Sequence, residues 1–192
     1  MLISIVGLSG SGKSFIAKTL ESYNSRIIHL DIDKVGHSAY EDKAILNEII
    51  KSFGTSIITN NQVNRKLLSK IVFSSKEYMN KLEEITWSYM EQKIDEFINA
   101  NQDKIMILDW LLIPKTKYFK MSNLRILVTA SYETRLKRAM YRDNITKEKF
   151  EERENAAPSL NPSEFEYIIE NENILNTQEK VRLIYDKSII HR

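Results

Sequence analysis

The chain of 192 residues contains no cysteine. Thiolate nucleophiles, thiolate metal ligands and disulfide frameworks are therefore excluded, and a reducing compartment fits without being required. Charge of one sign is also missing, because 28 Lys and Arg stand against 26 Asp and Glu for a net charge of +2. No uniform field points to nucleic acid or membrane, and no basic stripe with interleaved aromatics suggests a nucleic-acid surface. Small-molecule partners are expected instead. No apolar run approaches the roughly 18 residues of a membrane span, and the apolar stretch Leu2 to Val6 passes straight into glycine-rich sequence without a cleavage site. A cytoplasmic protein is the expectation. Repeats, low-complexity segments and linkers are absent, and nothing specifies an oligomeric state. The length suits one α/β domain with a helical insertion.

The residues after that run, Gly7-Leu8-Ser9-Gly10-Ser11-Gly12-Lys13-Ser14, fill the pattern G-x-x-x-x-G-K-[ST]. Glycines 7, 10 and 12 let the backbone approach a polyphosphate, so that successive N–H groups, those of Ser9 and Ser11 included, converge on its oxygens. A helix beginning near Lys13 adds its positive end. Lys13 is placed to reach the β- and γ-phosphates of ATP, and the Ser14 hydroxyl to bind Mg²⁺. The bland alternative is a Gly/Ser turn between strand and helix.

Apolar runs at Leu2 to Val6, Arg26 to Leu30, Lys104 to Asp109, Leu124 to Thr129 and Glu166 to Ile169 predict a five-stranded parallel sheet. Helical spacing predicts α-helices over Lys13 to Tyr23, from Ser131 or Tyr132, over Lys147 to Glu154, and from Thr177 to about Ile190. Residues 34–100 read as mostly helical, with Phe73 near the end of one helix and a third helix from about Lys76 to Asn99. Such a block cannot join a parallel sheet, so a helical acceptor-binding lobe is expected, followed after Asp143 by a lid over about 143–162.

Asp31 and Asp33 follow the second strand, at the edge where open α/β sheets place ligands. Either could accept the proton of an attacking hydroxyl, or merely cap the next helix. His37, one helical turn beyond Asp33, could touch an anionic acceptor or simply pack. Arg135, Arg138 and Arg142 share one helix face at i, i+3 and i+7. They make sense if a triphosphate, or carboxylates such as Glu133 and Asp143, lies among them; a solvated charged face is the alternative. Arg153 could swing in with the lid. Asp109 closes the third strand and could orient the Mg²⁺ shell, and Arg65 could bind an acceptor phosphate.

With these residues placed, the chain resembles the dephospho-CoA kinase family of P-loop enzymes. The resemblance runs through Gly7 to Ser14, Asp31-Ile32-Asp33, Phe53-Gly54, Asn64-Arg65-Lys66-Leu67-Leu68, Leu82-Glu83-Glu84-Ile85, Arg125 to Val128, Glu133 to Arg138, Arg142-Asp143 and Thr146. It implies an α/β P-loop three-layer sandwich, Asp33 as catalytic acid/base, Asn171 near the adenine pocket, and transfer from ATP to the ribose 3′-hydroxyl of dephospho-CoA. The chain departs from the family pattern at Trp87-Ser88, at Leu111 to Lys115 and at Ala157. A (deoxy)nucleoside monophosphate kinase would keep the loop, aspartate and arginines while changing such positions. A nucleotide-binding module without turnover is a further alternative.

Overall fold

Each of the five residues Leu2–Val6 is buried, and a strand covered on both faces belongs at the centre of a parallel sheet. The computed structural model, which describes residues 1–60, 62–72 and 74–190, places it there as β1 (Leu2–Val6). In chain order follow α1 (Lys13–Tyr23), β2 (Ile27–Asp31), α2 (Ile32–Ser38) and α3 (Lys43–Phe53). Next come the short strands β3 (Ile58–Thr59) and β4 (Gln62–Val63), then α4 (Arg65–Val72) and the long α5 (Lys76–Ala100). The remainder comprises β5 (Ile105–Asp109), α6 (Lys117–Met121), β6 (Leu124–Thr129), α7 (Tyr132–Asp143), α8 (Lys147–Ala156), β7 (Tyr167–Glu170) and α9 (Ile174–Ser188). Phe73, expected near a helix end, lies outside the described residues.

Two compact units result, one of Met1–Asp31 together with the segment from Asn101 onward, the other of Ile32–Ala100. In the first, five strands run parallel in the order β2-β5-β1-β6-β7. Successive β1 side chains point to opposite faces. Ile3 and Ile5 pack with Ile16, Ala17 and Leu20 of α1 and with Val181 and Ile184 of α9. Ser4, on the other face, meets Ser122 at the end of α6 through a buried hydroxyl pair at 2.6 Å. Helices thus cover both faces of the sheet.

The sheet elements agree with the sequence reading to within a residue or so. β2 ends at Asp31 rather than Leu30, and this sets Asp31 directly opposite Asp109 in the parallel register with β5. The last helix starts at Ile174, three residues before the expected Thr177, because the Asn173 side chain accepts the Asn176 N–H and caps it.

The second unit closes around Ile49 and Phe53 of α3, Leu68 and Val72 of α4, Ile85 of α5, and Ile57. Its pattern is helical apart from β3 and β4, which pair antiparallel with Ile58 opposite Val63. Strands of two residues carry no readable period, so sequence alone gave no sign of them.

Candidate active site

The loop between β1 and α1 is shaped by its glycines. Gly10 (φ +78°) and Gly12 (φ +95°) both take left-handed conformations that side-chain-bearing residues rarely adopt. Each also lacks room for a methyl group: a Cβ on Gly10 would lie 2.3 Å from the Arg135 carbonyl oxygen, and one on Gly12 would lie 2.1 Å from Asn171 Nδ2. Gly12 occupies the N-cap of α1, where no side chain caps the first-turn amides. Those N–H groups are the usual seat for an anion. Ser11 Oγ is buried and has no hydrogen-bond partner among the described residues, a cost that a ligand oxygen would remove.

Neighbouring elements hold this loop from behind. Asn171, just past β7, donates from Nδ2 to the Ser11 carbonyl at 2.8 Å, while its Oδ1 accepts from Thr177 Oγ1 at 3.1 Å. Its own carbonyl accepts from Arg138 Nη1 at 2.9 Å. Asn171 is therefore a brace of the loop and ties Arg138 to it.

At the start of α1, Ser14 donates from Oγ to Asp109 Oδ2 at 2.6 Å. Asp109 is buried, which by itself pushes its carboxyl up. The His29 imidazole, with Nε2 3.4 Å from Oδ2, the Lys13 charge and the Ser14 hydroxyl outweigh that effect and hold it below the ordinary carboxylate range. Two hard oxygens, Ser14 Oγ and Asp109 Oδ2, thus meet beside the loop, a donor set that suits Mg²⁺ shared with substrate phosphates rather than held in a protein cage. No group of three or more His, Cys, Asp or Glu side chains that could hold a metal ion occurs among the described residues. The sequence reading did not single out His29. It sits two residues before Asp31 on β2, and only that alternation could have put it on the carboxylate's face.

The arginines of α7 do not act as one set. Arg135 is buried in a forked pair with Glu154 of α8, with N···O distances of 2.7 and 2.6 Å, and donates to the Ser9 and Ala130 carbonyls at 3.4 and 3.2 Å. Glu133 is not its partner. Arg142 remains largely exposed and donates to both oxygens of Asp143, at 2.7 and 2.9 Å. Arg153 of α8 donates to the same carboxylate. Asp143 is in consequence held at about 2 against an ordinary 3.8, chiefly by Arg142, over the upward push of burial and with Arg153 adding to the effect. Arg138 and Arg142 stay within the loop's unit, and Arg153 is bound to Arg142 through the shared aspartate. Beyond α8, Pro158 and Leu160 line a cavity of about 310 Å³ with Leu8 and Arg135.

In the second unit Asp33 is exposed in the first turn of α2, two residues past β2. The same helix carries His37, whose backbone carbonyl accepts from Arg65 Nη2 at 3.2 Å. The Arg65 guanidinium lies 5.3 Å above the Tyr40 ring. Burial raises the Tyr40 phenol despite the Arg65 charge. Arg65, Tyr40 and Gln62 line a cavity of about 310 Å³. The structure brings Arg65 to His37 through its backbone, not through its imidazole.

A family model for dephospho-CoA kinase matches residues 1–176. The dephospho-CoA kinase of Aquifex aeolicus is 31% identical over 191 residues, covering 96% of each chain. That of Fusobacterium nucleatum is 34% identical over 152 residues, covering 77% of this chain and 78% of the relative. Among solved structures, a Thermus thermophilus protein superposes with a TM-score of 0.81 at 25% identity, covering 98% of this chain and 97% of its own.

Proposed function

The chain belongs to the dephospho-CoA kinase family, and from that premise we propose that it transfers the γ-phosphoryl group of ATP to the ribose 3′-hydroxyl of dephospho-CoA, giving coenzyme A and ADP. The observation that carries the proposal is the loop itself, with two left-handed glycines, uncapped helix amides and a buried unpartnered Ser11 hydroxyl. Backbone amides of Gly7 to Ser14 and the Lys13 ammonium hold the triphosphate, and the Arg138 and Arg142 guanidiniums neutralise charge that builds on the transferring group. Asn171 keeps the loop in shape and stands at the adenine end. Asp33 accepts the proton of the 3′-hydroxyl as its oxygen attacks phosphorus and the bond to the β–γ bridging oxygen breaks.

Ser14 and Asp109 would hold Mg²⁺, which when bound supplies charge neutralisation at the β- and γ-phosphates. Arg65, with His37, binds the acceptor. Residues 32–100 serve as the acceptor-binding insertion of a single kinase domain, and α8 with Arg153 serves as a lid that excludes water.

A coupled assay of ADP release with dephospho-CoA and a panel of ribo- and deoxyribonucleoside monophosphates tests this. Turnover stimulated by dephospho-CoA above every monophosphate is expected. Stimulation by a monophosphate alone would assign the chain to that acceptor instead, and no stimulation by any of them would defeat the kinase reading.

A further inference from the structure

The proposed transfer gives Arg135 no part, yet this buried side chain reaches the phosphate loop. Its Nη1 donates to the Ser9 carbonyl at 3.4 Å and its Nε to the Ala130 carbonyl at 3.2 Å, while the Glu154 carboxylate accepts from Nη1 and Nη2 at 2.7 and 2.6 Å. Ser9 and Gly10 are the middle residues of a turn closed by the Ser11 N–H on the Leu8 carbonyl at 3.1 Å. Gly10 has φ +78°, and Ser9 is not among the residues of positive φ, which together make a type II turn. The peptide unit between the two middle residues of such a turn has an alternative, a flip of roughly half a turn that gives type I and leaves the flanking chain in place. Glycine takes either sign of φ about as readily, so Gly10 permits both states and selects neither.

We infer that Arg135 is a positioning residue for the phosphate loop: by holding the Ser9 carbonyl it selects the flip state in which the Gly10 N–H faces the triphosphate. The inference rests on the proposed reading of Gly7 to Ser14 as the triphosphate seat. In a planar trans peptide the carbonyl and the N–H point in opposite directions, and no cis peptide bond occurs among the described residues. A Ser9 carbonyl drawn toward the Arg135 guanidinium therefore sends the Gly10 N–H away from it. That N–H has no hydrogen-bond partner among the described residues, and Gly10 is buried, so a ligand oxygen would satisfy a donor otherwise left unpaired. In the flipped state a carbonyl oxygen would stand in its place and repel a phosphate. A guanidinium holds the Ser9 carbonyl more firmly than a neutral donor would, and Glu154 lets that charge stay buried.

Nuclear magnetic resonance of the isotope-labelled full chain, titrated with inorganic tripolyphosphate and no divalent metal, reads this apart from turnover and from Mg²⁺. In the unaltered protein the amide resonances of Gly10, Lys13 and Ser14 should all move as the anion binds. Arg135→Met is expected to weaken tripolyphosphate binding about tenfold, the loss of one hydrogen bond to a charged group. At saturation its Gly10 resonance should stay close to the free position while those of Lys13 and Ser14 still move. Because the single change strands the Glu154 carboxylate, Arg135→Met combined with Glu154→Leu removes both charges and should keep the fold if Arg135→Met alone does not. The same two results are expected from it. Unchanged affinity in the variants, a Gly10 resonance that moves as far as in the unaltered chain, or equal loss of movement at all three amides would overturn the inference. So would a Gly10 resonance that stays still in the unaltered protein while those of Lys13 and Ser14 move. If none of the three moves in the unaltered protein, the reading of the loop as the triphosphate seat is overturned, and this inference with it.

Discussion

At the scale of single residues, the proposed chemistry makes proton acceptance by Asp33 separable from phosphate binding at the loop. Asp33→Asn removes a proton acceptor but no phosphate contact, so kcat should fall by roughly 10²- to 10⁴-fold while ATP-analogue affinity stays the same. Steady-state kinetics paired with calorimetry check both halves. Gly12→Ala asks a residue with a Cβ to keep φ near +95° with that Cβ 2.1 Å from Asn171 Nδ2. The conformational strain alone costs about 1–2 kcal/mol, and the loop must shift off Asn171 as well, so analogue binding should be lost while the sheet's circular dichroism persists. Asp143 yields a pH prediction. Its folded value near 2 lies below the ordinary 3.8, so the stability it contributes is complete above about pH 4 and disappears as the pH falls through 2. Asp143→Asn should therefore be less stable than the unaltered chain near neutrality, by about 1 kcal/mol after solvent screening, and should converge with it in acid. Urea titrations across pH 2–7 measure the difference.

At the scale of elements, α8 is fastened to the loop's neighbourhood by one buried pair. Arg135 and Glu154 have side-chain exposures of only 8% and 17%, and Phe150 of α8 lies 5.8 Å beneath the same guanidinium. Removing one partner strands the other charge, so Glu154→Gln should destabilise the protein by about 3 kcal/mol. Hydrogen exchange should show α8 losing protection first. The elements differ in how plainly the sequence announces them. Leu2–Val6 and the loop were legible because an apolar run ending in a glycine-rich motif admits few structures, and α8 was legible as a charged helix from Lys147, which the structure shows capped by Thr146. The Asn173 cap was missed among three polar residues, Asn171 to Asn173, any of which could end a strand or open a helix. The partnership of Arg135 with Glu154 spans 19 residues and two helices, so only packing reveals it. Asn171 illustrates the same limit: its spacing from the strand can be counted, but its grip on the Ser11 carbonyl depends on which strand β7 pairs with.

At the scale of the whole molecule, the chain divides between a sheet unit with the phosphate loop and the Ile32–Ala100 unit with Arg65 and Asp33. Donor and acceptor roles are proposed to follow that division. Arg65→Ala should then raise the acceptor KM about tenfold or more, the loss of a hydrogen bond to a charged group, with the ATP KM unchanged. The two constants from one set of initial rates provide the check. The central claim is transfer to a hydroxyl of dephospho-CoA, and the product itself tests it most directly. Phosphorus NMR and mass of the reaction mixture with MgATP and dephospho-CoA should show one new phosphate monoester on the ribose 3′ oxygen, formed in step with ADP. Phosphate released to water, or ATP left intact beside unchanged dephospho-CoA, would contradict the account.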